Sequence, residues 1–196
     1  MPGELLEGRV SVDDPAEASA LHNRGYFGTP RSGGGLDLNL LEAVYLVEAE
    51  RLEVRRGEKP VSLRELFRAA GAAVEGFEIR YLVYRDLRQR GYVVEFRDGL
   101  VDFQVLPRGG APKKTPSKYW VRALSERAVF DLAELLERAE EAAAVRKSLL
   151  LALVDEESDL TYYAVREALP RGHRPPASVS GKIVVAYQGD RAAVLD

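Results

Sequence analysis

At 196 residues the chain is long enough for one ordinary domain or two small ones, and at 46% hydrophobic and 30% charged it reads as a soluble globular protein. No apolar run approaches the ~20 residues of a membrane span and the start lacks a signal-peptide layout, so a cytoplasmic location with no membrane is expected. The absence of cysteine excludes disulfides, thiolate zinc sites and a cysteine nucleophile, and a net charge of −3 confines any nucleic-acid contact to a local patch.

Arg9-Val-Ser-Val alternates as a short strand does, and Pro15 to Leu21 reads as a short helix. The glycine-rich run from Gly25 to Gly35 carries no phosphate-loop pattern after a strand, so it is read as a flexible connector. Asn39 with Glu42 forms a capping-box pattern ahead of Leu40, Leu41, Val44, Tyr45 and Val47, which predicts an amphipathic helix ending near Glu50. Leu52-Glu-Val-Arg reads as a strand and Gly57-Glu-Lys-Pro as a turn. Ser62 with Glu65 then caps a second helix carrying Leu63, Leu66, Phe67 and Ala70. These elements predict a small mixed α/β domain over residues 1–78.

A third helix runs through Tyr81 to Arg90 and stops at Gly91, a residue suited to a helix C-terminus. Tyr92 to Phe96 and Leu100 to Leu106 then read as a hairpin around Arg97-Asp-Gly, followed by a Gly/Pro/Lys loop (Arg108 to Ser117) and a strand from Lys118 to Leu124. Asp131 with Glu134 caps a long helix to about Arg146. The apolar strand Ser148 to Val154, the acidic turn Asp155 to Asp159 and the strand Leu160 to Val165 complete a second domain over 79–170. The fold class is therefore α+β or α/β, with a mixed, mostly antiparallel sheet flanked by helices in the second domain. Residues 171–196 read as a proline-rich linker containing His173 and a terminal hairpin.

Three stretches carry a resemblance. Tyr81-Leu-Val-Tyr-Arg-Asp-Leu-Arg-Gln-Arg-Gly-Tyr, Val145-Arg-Lys-Ser-Leu-Leu-Leu-Ala-Leu-Val-Asp-Glu-Glu-Ser-Asp-Leu-Thr-Tyr-Tyr and Leu38-Asn-Leu-Leu-Glu-Ala-Val-Tyr-Leu are similar, in that order, to motifs of the archaeal tRNA-splicing endonucleases. They cover roughly residues 20–169, and the tail after Pro170 lies outside. The resemblance implies a restriction-endonuclease-like C-terminal domain and cleavage of precursor tRNA at a bulge–helix–bulge without metal or cofactor. The ribose 2′-hydroxyl attacks the adjacent phosphate, leaving a 2′,3′-cyclic phosphate and a 5′-hydroxyl. That chemistry needs a base, an acid and a cation for the phosphorane, roles the family gives to a tyrosine, a histidine and a lysine.

The tyrosine follows "D-F-x-x", and the histidine comes ten positions later, before "S-x-Y". Here Asp102-Phe-Gln-Val is followed by Leu106, and ten positions on stands Pro116 ahead of Ser117-Lys-Tyr119. Only Lys147 of the three is retained, and neither leucine nor proline transfers a proton. The resemblance thus implies the structural, non-catalytic subunit of a heterotetramer, two copies paired with two of a Tyr/His/Lys-bearing partner.

Other candidates follow from charge. Arg108, Lys113, Lys114, Lys118 and Arg122 form a local basic stretch suited to tRNA phosphates, or else a mobile surface loop. Asp155, Glu156, Glu157 and Asp159 are either a solvated hairpin turn or, as the resemblance implies, a loop that docks on a basic cleft of another subunit. Lys147 is either a helix-terminal cation or an RNA contact. Trp120, Tyr162 and Tyr163 could stack on bulged bases, although strand alternation makes at least half of them core. His22 and His173 read as structurally neutral. Arginine outnumbers lysine 22 to 6, which suits a thermophile and equally a biased genome. The rival readings are a self-sufficient ribonuclease using Tyr119 with Asp102, a metal-dependent nuclease for which Asp102 lacks a carboxylate partner, and an RNA-binding assembly protein unrelated to splicing.

Overall fold

The computed structural model describes residues 2–97, 101–129 and 131–166, with the backbone of 184–188 and 191–195. The turn expected at 98–99 and the linker with His173 lie outside the described residues. Two compact units are present, Met1–Val93 with Pro107–Pro116, and Val94–Leu106 with Ser117–Asp196.

The first unit contains β1 (Gly3–Leu6), β2 (Arg9–Val12), α1 (Pro15–Gly25), β3 (Thr29–Pro30), β4 (Leu36–Asn39), α2 (Leu40–Glu48), β5 (Val54–Arg56), β6 (Lys59–Val61), α3 (Leu63–Ala73) and α4 (Phe77–Gln89). Its six-stranded sheet runs β3-β4-β2-β1-β5-β6, with β1 and β5 parallel and the other pairs antiparallel. Both predicted capping boxes form. Asn39 accepts the Glu42 amide at 2.9 Å, Ser62 accepts that of Glu65 at 3.3 Å, and each glutamate returns to its cap's backbone.

The glycine-rich run is not a free connector. Glu42 is buried, so both its oxygens need donors: one accepts the Asn39 amide and the other the Gly28 amide at 2.8 Å. Past that anchor Thr29 pairs with Asp37, and the Arg31 amide closes a turn on Gly35 O at 2.8 Å. At Gly28 (φ 68) an added Cβ would lie 2.7 Å from Asp37 O, so the close approach requires glycine.

Helix α4 presents Phe77, Tyr81, Tyr84 and Leu87 on one buried face. Their rings meet Phe67 (5.0 Å to Phe77, 5.7 Å to Tyr81) and Tyr45 (5.8 Å to Tyr84), which ties α4 to α3 and α2. The packing therefore groups α4 with the first compact unit.

The second unit contains β7 (Val94–Phe96), β8 (Phe103–Val105), β9 (Tyr119–Ser125), α5 (Leu132–Ala144), β10 (Ser148–Val154) and β11 (Leu160–Val165), and the hairpin β12 (Val184–Gln188) with β13 (Arg191–Leu195). The sheet order is β11-β10-β9-β8-β7. Its parallel pair is β9–β10, joined by α5 as the crossover such pairs need, and the rest is antiparallel. Ala139 and Ala142 of α5 bury against Leu149 and Val101, with Trp120, Leu135 and Val165 alongside. This is the mixed, mostly antiparallel sheet expected from the sequence.

Candidate functional site

Lys147 is placed by the way α5 ends. Arg146 adopts a left-handed conformation (φ 58), its amide bonds to Ala143 O at 2.9 Å, and the Lys147 amide bonds to Ala142 O at 2.8 Å. This paired closure ends the helix and turns the chain into β10. There Ser148 N meets Lys118 O at 3.1 Å, and Lys147 Nζ lies 5.4 Å from the centroid of the Trp120 ring.

The strand register sets the neighbours of Lys147. Val105 pairs with Tyr119 and Tyr119 with Ser148, so one residue beyond these pairs Leu106, Lys118 and Lys147 stand in a row. A bond from Lys118 N to Val105 O at 2.8 Å holds that end of the ladder. Leu106, at 0% exposure, is among the most buried residues of the chain. Pro116 is exposed and ends the stretch 107–116, which groups with the first unit. Of Leu106, Pro116 and Lys147, only the lysine carries an ionisable side chain.

The basic stretch divides between the units. Arg108 lies 5.3 Å over the Tyr92 ring, in a loop closed by Gly110 N to Pro107 O (2.9 Å), Thr115 N to Ala111 O (2.9 Å) and Ala111 N to Thr115 Oγ1 (3.1 Å). Lys113 and Lys114 are exposed on this loop. Lys118 and Arg122 belong to the second unit, and alternation along β9 puts them on the face of Trp120. Arg122 Nη1 is 3.6 Å from Asp102 Oδ2. Asp102 is buried and accepts the Ala123 amide at 2.8 Å, so its carboxylate completes the β8–β9 ladder.

Gln104, Arg97 and Ser117 join this face although the sequence reading did not select them. Gln104 pairs with Trp120 in register and is 7% exposed. With its amide oriented to satisfy every neighbour, the nitrogen donates to Ser117 Oγ at 3.2 Å, and the oxygen accepts from Arg97 Nε at 3.1 Å and Trp120 Nε1 at 3.2 Å. The available signal was one amide inside the otherwise apolar run Phe103 to Leu106.

In the acidic turn, Asp159 N donates to Asp155 Oδ1 at 2.8 Å and Asp155 N to Asp159 O at 3.1 Å. Glu156 pairs with Arg127, and Glu156, Glu157 and Asp159 are exposed while Asp155 is half-buried. Trp120, Tyr162 and Tyr163 are half-buried on their strands. The His22 ring bonds to Phe27 O at 3.2 Å through Nδ1. Away from this face, burial pushes Glu42 from its ordinary 4.5 up to about 7, opposed by its two backbone donors and Arg88. Among the described residues no group of three or more histidines and carboxylates could hold a metal ion, and no helix is long and apolar enough to cross a membrane.

Comparison with known proteins connects this geometry to a family. Residues 1–67 match the "tRNA intron endonuclease, N-terminal domain" and residues 77–162 the "tRNA intron endonuclease, catalytic C-terminal domain". A tRNA-splicing endonuclease of Methanococcoides burtonii is 39% identical over 100% of this chain and 55% of its own length. Those of Methanothermobacter thermautotrophicus (37% identical, 83% of this chain, 95% of that protein) and Thermococcus kodakarensis (39%, 80% and 92%) are matched nearly end to end. The chain thus spans about half the length of the first relative and nearly all of the other two. By both domain matches and by relatives covered almost completely, the chain belongs to the tRNA intron endonuclease family.

Proposed function

We propose that this chain is the structural, non-catalytic member of a tRNA-splicing endonuclease. The reading is supported by Leu106, fully buried in one row with Lys118 and Lys147, where the resemblance puts the family's tyrosine, and by Pro116 where it puts the histidine. With neither base nor acid, Lys147 can offer charge to a phosphate but cannot move the proton of a 2′-hydroxyl. A related Tyr/His/Lys-bearing unit then cleaves the precursor tRNA at the bulge–helix–bulge. This chain supports the assembly, two of each subunit, and contributes Arg108, Lys113, Lys114, Lys118 and Arg122 to phosphates. The exposed carboxylates around Asp155, Glu156, Glu157 and Asp159 supply charge for docking on a basic surface of another subunit.

The test is cleavage of a bulge–helix–bulge RNA by the purified chain, alone and with the Tyr/His/Lys-bearing subunit. Cleavage only in the mixture is expected, with 2′,3′-cyclic phosphate and 5′-hydroxyl ends. Clean junction cleavage by the chain alone would overturn the assignment in favour of a self-sufficient ribonuclease.

A second reading rests on length. The Methanococcoides burtonii relative is matched over only 55% of its length, so a catalytic unit carried on one longer polypeptide would serve the same purpose. Immunoblotting of source cells separates the two: a band near 21.7 kDa supports separate subunits, and one about twice as large supports the longer chain.

A further inference from the structure

The face around Lys147 holds more order than a single retained lysine requires. Gln104 is buried, and an unpaired buried amide costs about 1–3 kcal/mol. Here both ends of the amide are used, on the Trp120 ring nitrogen, the Arg97 guanidinium and the Ser117 hydroxyl. One side chain thereby fixes the plane of the indole and the position of an exposed arginine. The indole in turn lies under the Lys147 ammonium at 5.4 Å from its ring centroid, a contact worth about 0.5–2 kcal/mol.

Among the described residues the charges held this way have no carboxylate partner. Arg122 has Asp102, Arg127 has Glu156 and Arg138 has Glu141, whereas among the described residues no carboxylate pairs with Arg97 or Lys147. The two cations are separated by the Gln104 side chain and the indole.

We propose that Arg97 and Lys147, joined through the Gln104–Trp120 hydrogen bond, form a two-cation seat for the phosphodiester backbone of the bound RNA, with Gln104 and Trp120 as positioning residues. The seat rests on the RNA-binding part of the functional reading above and adds to it a named location on the α5 side of the C-terminal sheet. It also gives the indole a role other than base stacking, because one ring face is taken by the lysine.

Trp120 is the sole tryptophan, so its emission reports this site alone. The experiment titrates the chain with bulge–helix–bulge RNA and follows Trp120 fluorescence, while anisotropy of end-labelled RNA measures binding independently. Emission is expected to change in step with binding. Arg97→Gln and Lys147→Gln should each reduce the slope of log affinity against log salt by about 1. Gln104→Leu, with its fold checked by circular dichroism, should weaken binding although both charges remain. Inorganic phosphate at millimolar concentration should leave emission unchanged, and a response equal to that of RNA would mean a small-anion site and overturn the proposal. RNA binding with unaltered emission and unaltered salt slopes in both charge variants overturns it too, leaving the functional reading standing. No RNA binding at all by anisotropy overturns both.

Discussion

The amide of Lys147 bonds to the carbonyl of Ala142 at 2.8 Å, and this closure fixes where Lys147 leads the chain into β10. It requires the intervening Arg146 to take a left-handed conformation (φ 58), which costs a residue with a Cβ about 1–2 kcal/mol relative to the right-handed region. Arg146→Gly is therefore expected to stabilise the chain by about 1 kcal/mol, and Arg146→Val to destabilise it. Urea midpoints of the three proteins check this, and a less stable glycine variant would contradict the strain argument.

Glu42 links stability to pH. Its folded-state value of about 7 lies above the ordinary 4.5, so the folded chain holds this proton more tightly than the unfolded chain. The contribution is fully present below about 4.5 and is lost as pH rises through 7, by about 3 kcal/mol at most. Glu42→Gln should remove this fall while lowering stability at every pH, because an amide cannot accept from both Gly28 and Asn39. Denaturation at pH 5 and pH 8 tests the difference. Parallel pH profiles for wild type and variant would sink the assignment.

Leu106→Tyr introduces a larger, polar side chain at a position with no exposure, and overpacking of this kind costs about 1–3 kcal/mol. The single variant is expected to bind RNA and remain inactive. The double variant with Pro116→His, retaining Lys147, should gain slow cleavage in the presence of EDTA. A folded, RNA-binding double variant with no such products would count against the proposal that these two positions make the chain non-catalytic.

The carboxylates of the acidic turn differ in role: Asp155 builds the turn, Glu156 pairs with Arg127, and Glu157 and Asp159 are exposed. Asp155 accepts the Asp159 amide, so Asp155→Ala should cost about 1 kcal/mol. Asp155→Asn keeps that acceptor. Combined with Glu156→Gln and Asp159→Asn, it should leave the fold intact and convert a tetrameric assembly to dimers in light scattering. An unchanged mass would rule out the turn as the tetramer contact.

What the sequence alone determined was mostly local. The capping boxes at Asn39–Glu42 and Ser62–Glu65 were legible because both partners sit three residues apart, and β10, the acidic turn and β11 because long apolar runs flank a polar turn. The reading that Leu106 and Pro116 stand at the positions of the family's tyrosine and histidine rests on the motif resemblance and is part of the proposal. Strands β1, β3, β4 and β6 were not found, since two to four residues carry little periodicity and their pairing is decided by distant partners. Helix α4 was identified, while its packing against α2 and α3 depends on rings from Tyr45 and Phe67.

The candidate site shows the same division. Lys118 and Arg122 stood out by charge and Lys147 by the motif resemblance, but their common face with Trp120 follows from strand alternation and β-ladder register, which links residues about thirty positions apart. Gln104 left only the faint signal of an amide in an apolar run, and its link to Arg97 and Ser117 was not legible because hydrogen-bond saturation of a buried amide is a property of the packed state. Sequence fixes which groups a chain carries, whereas only burial and strand pairing decide which of them must satisfy one another.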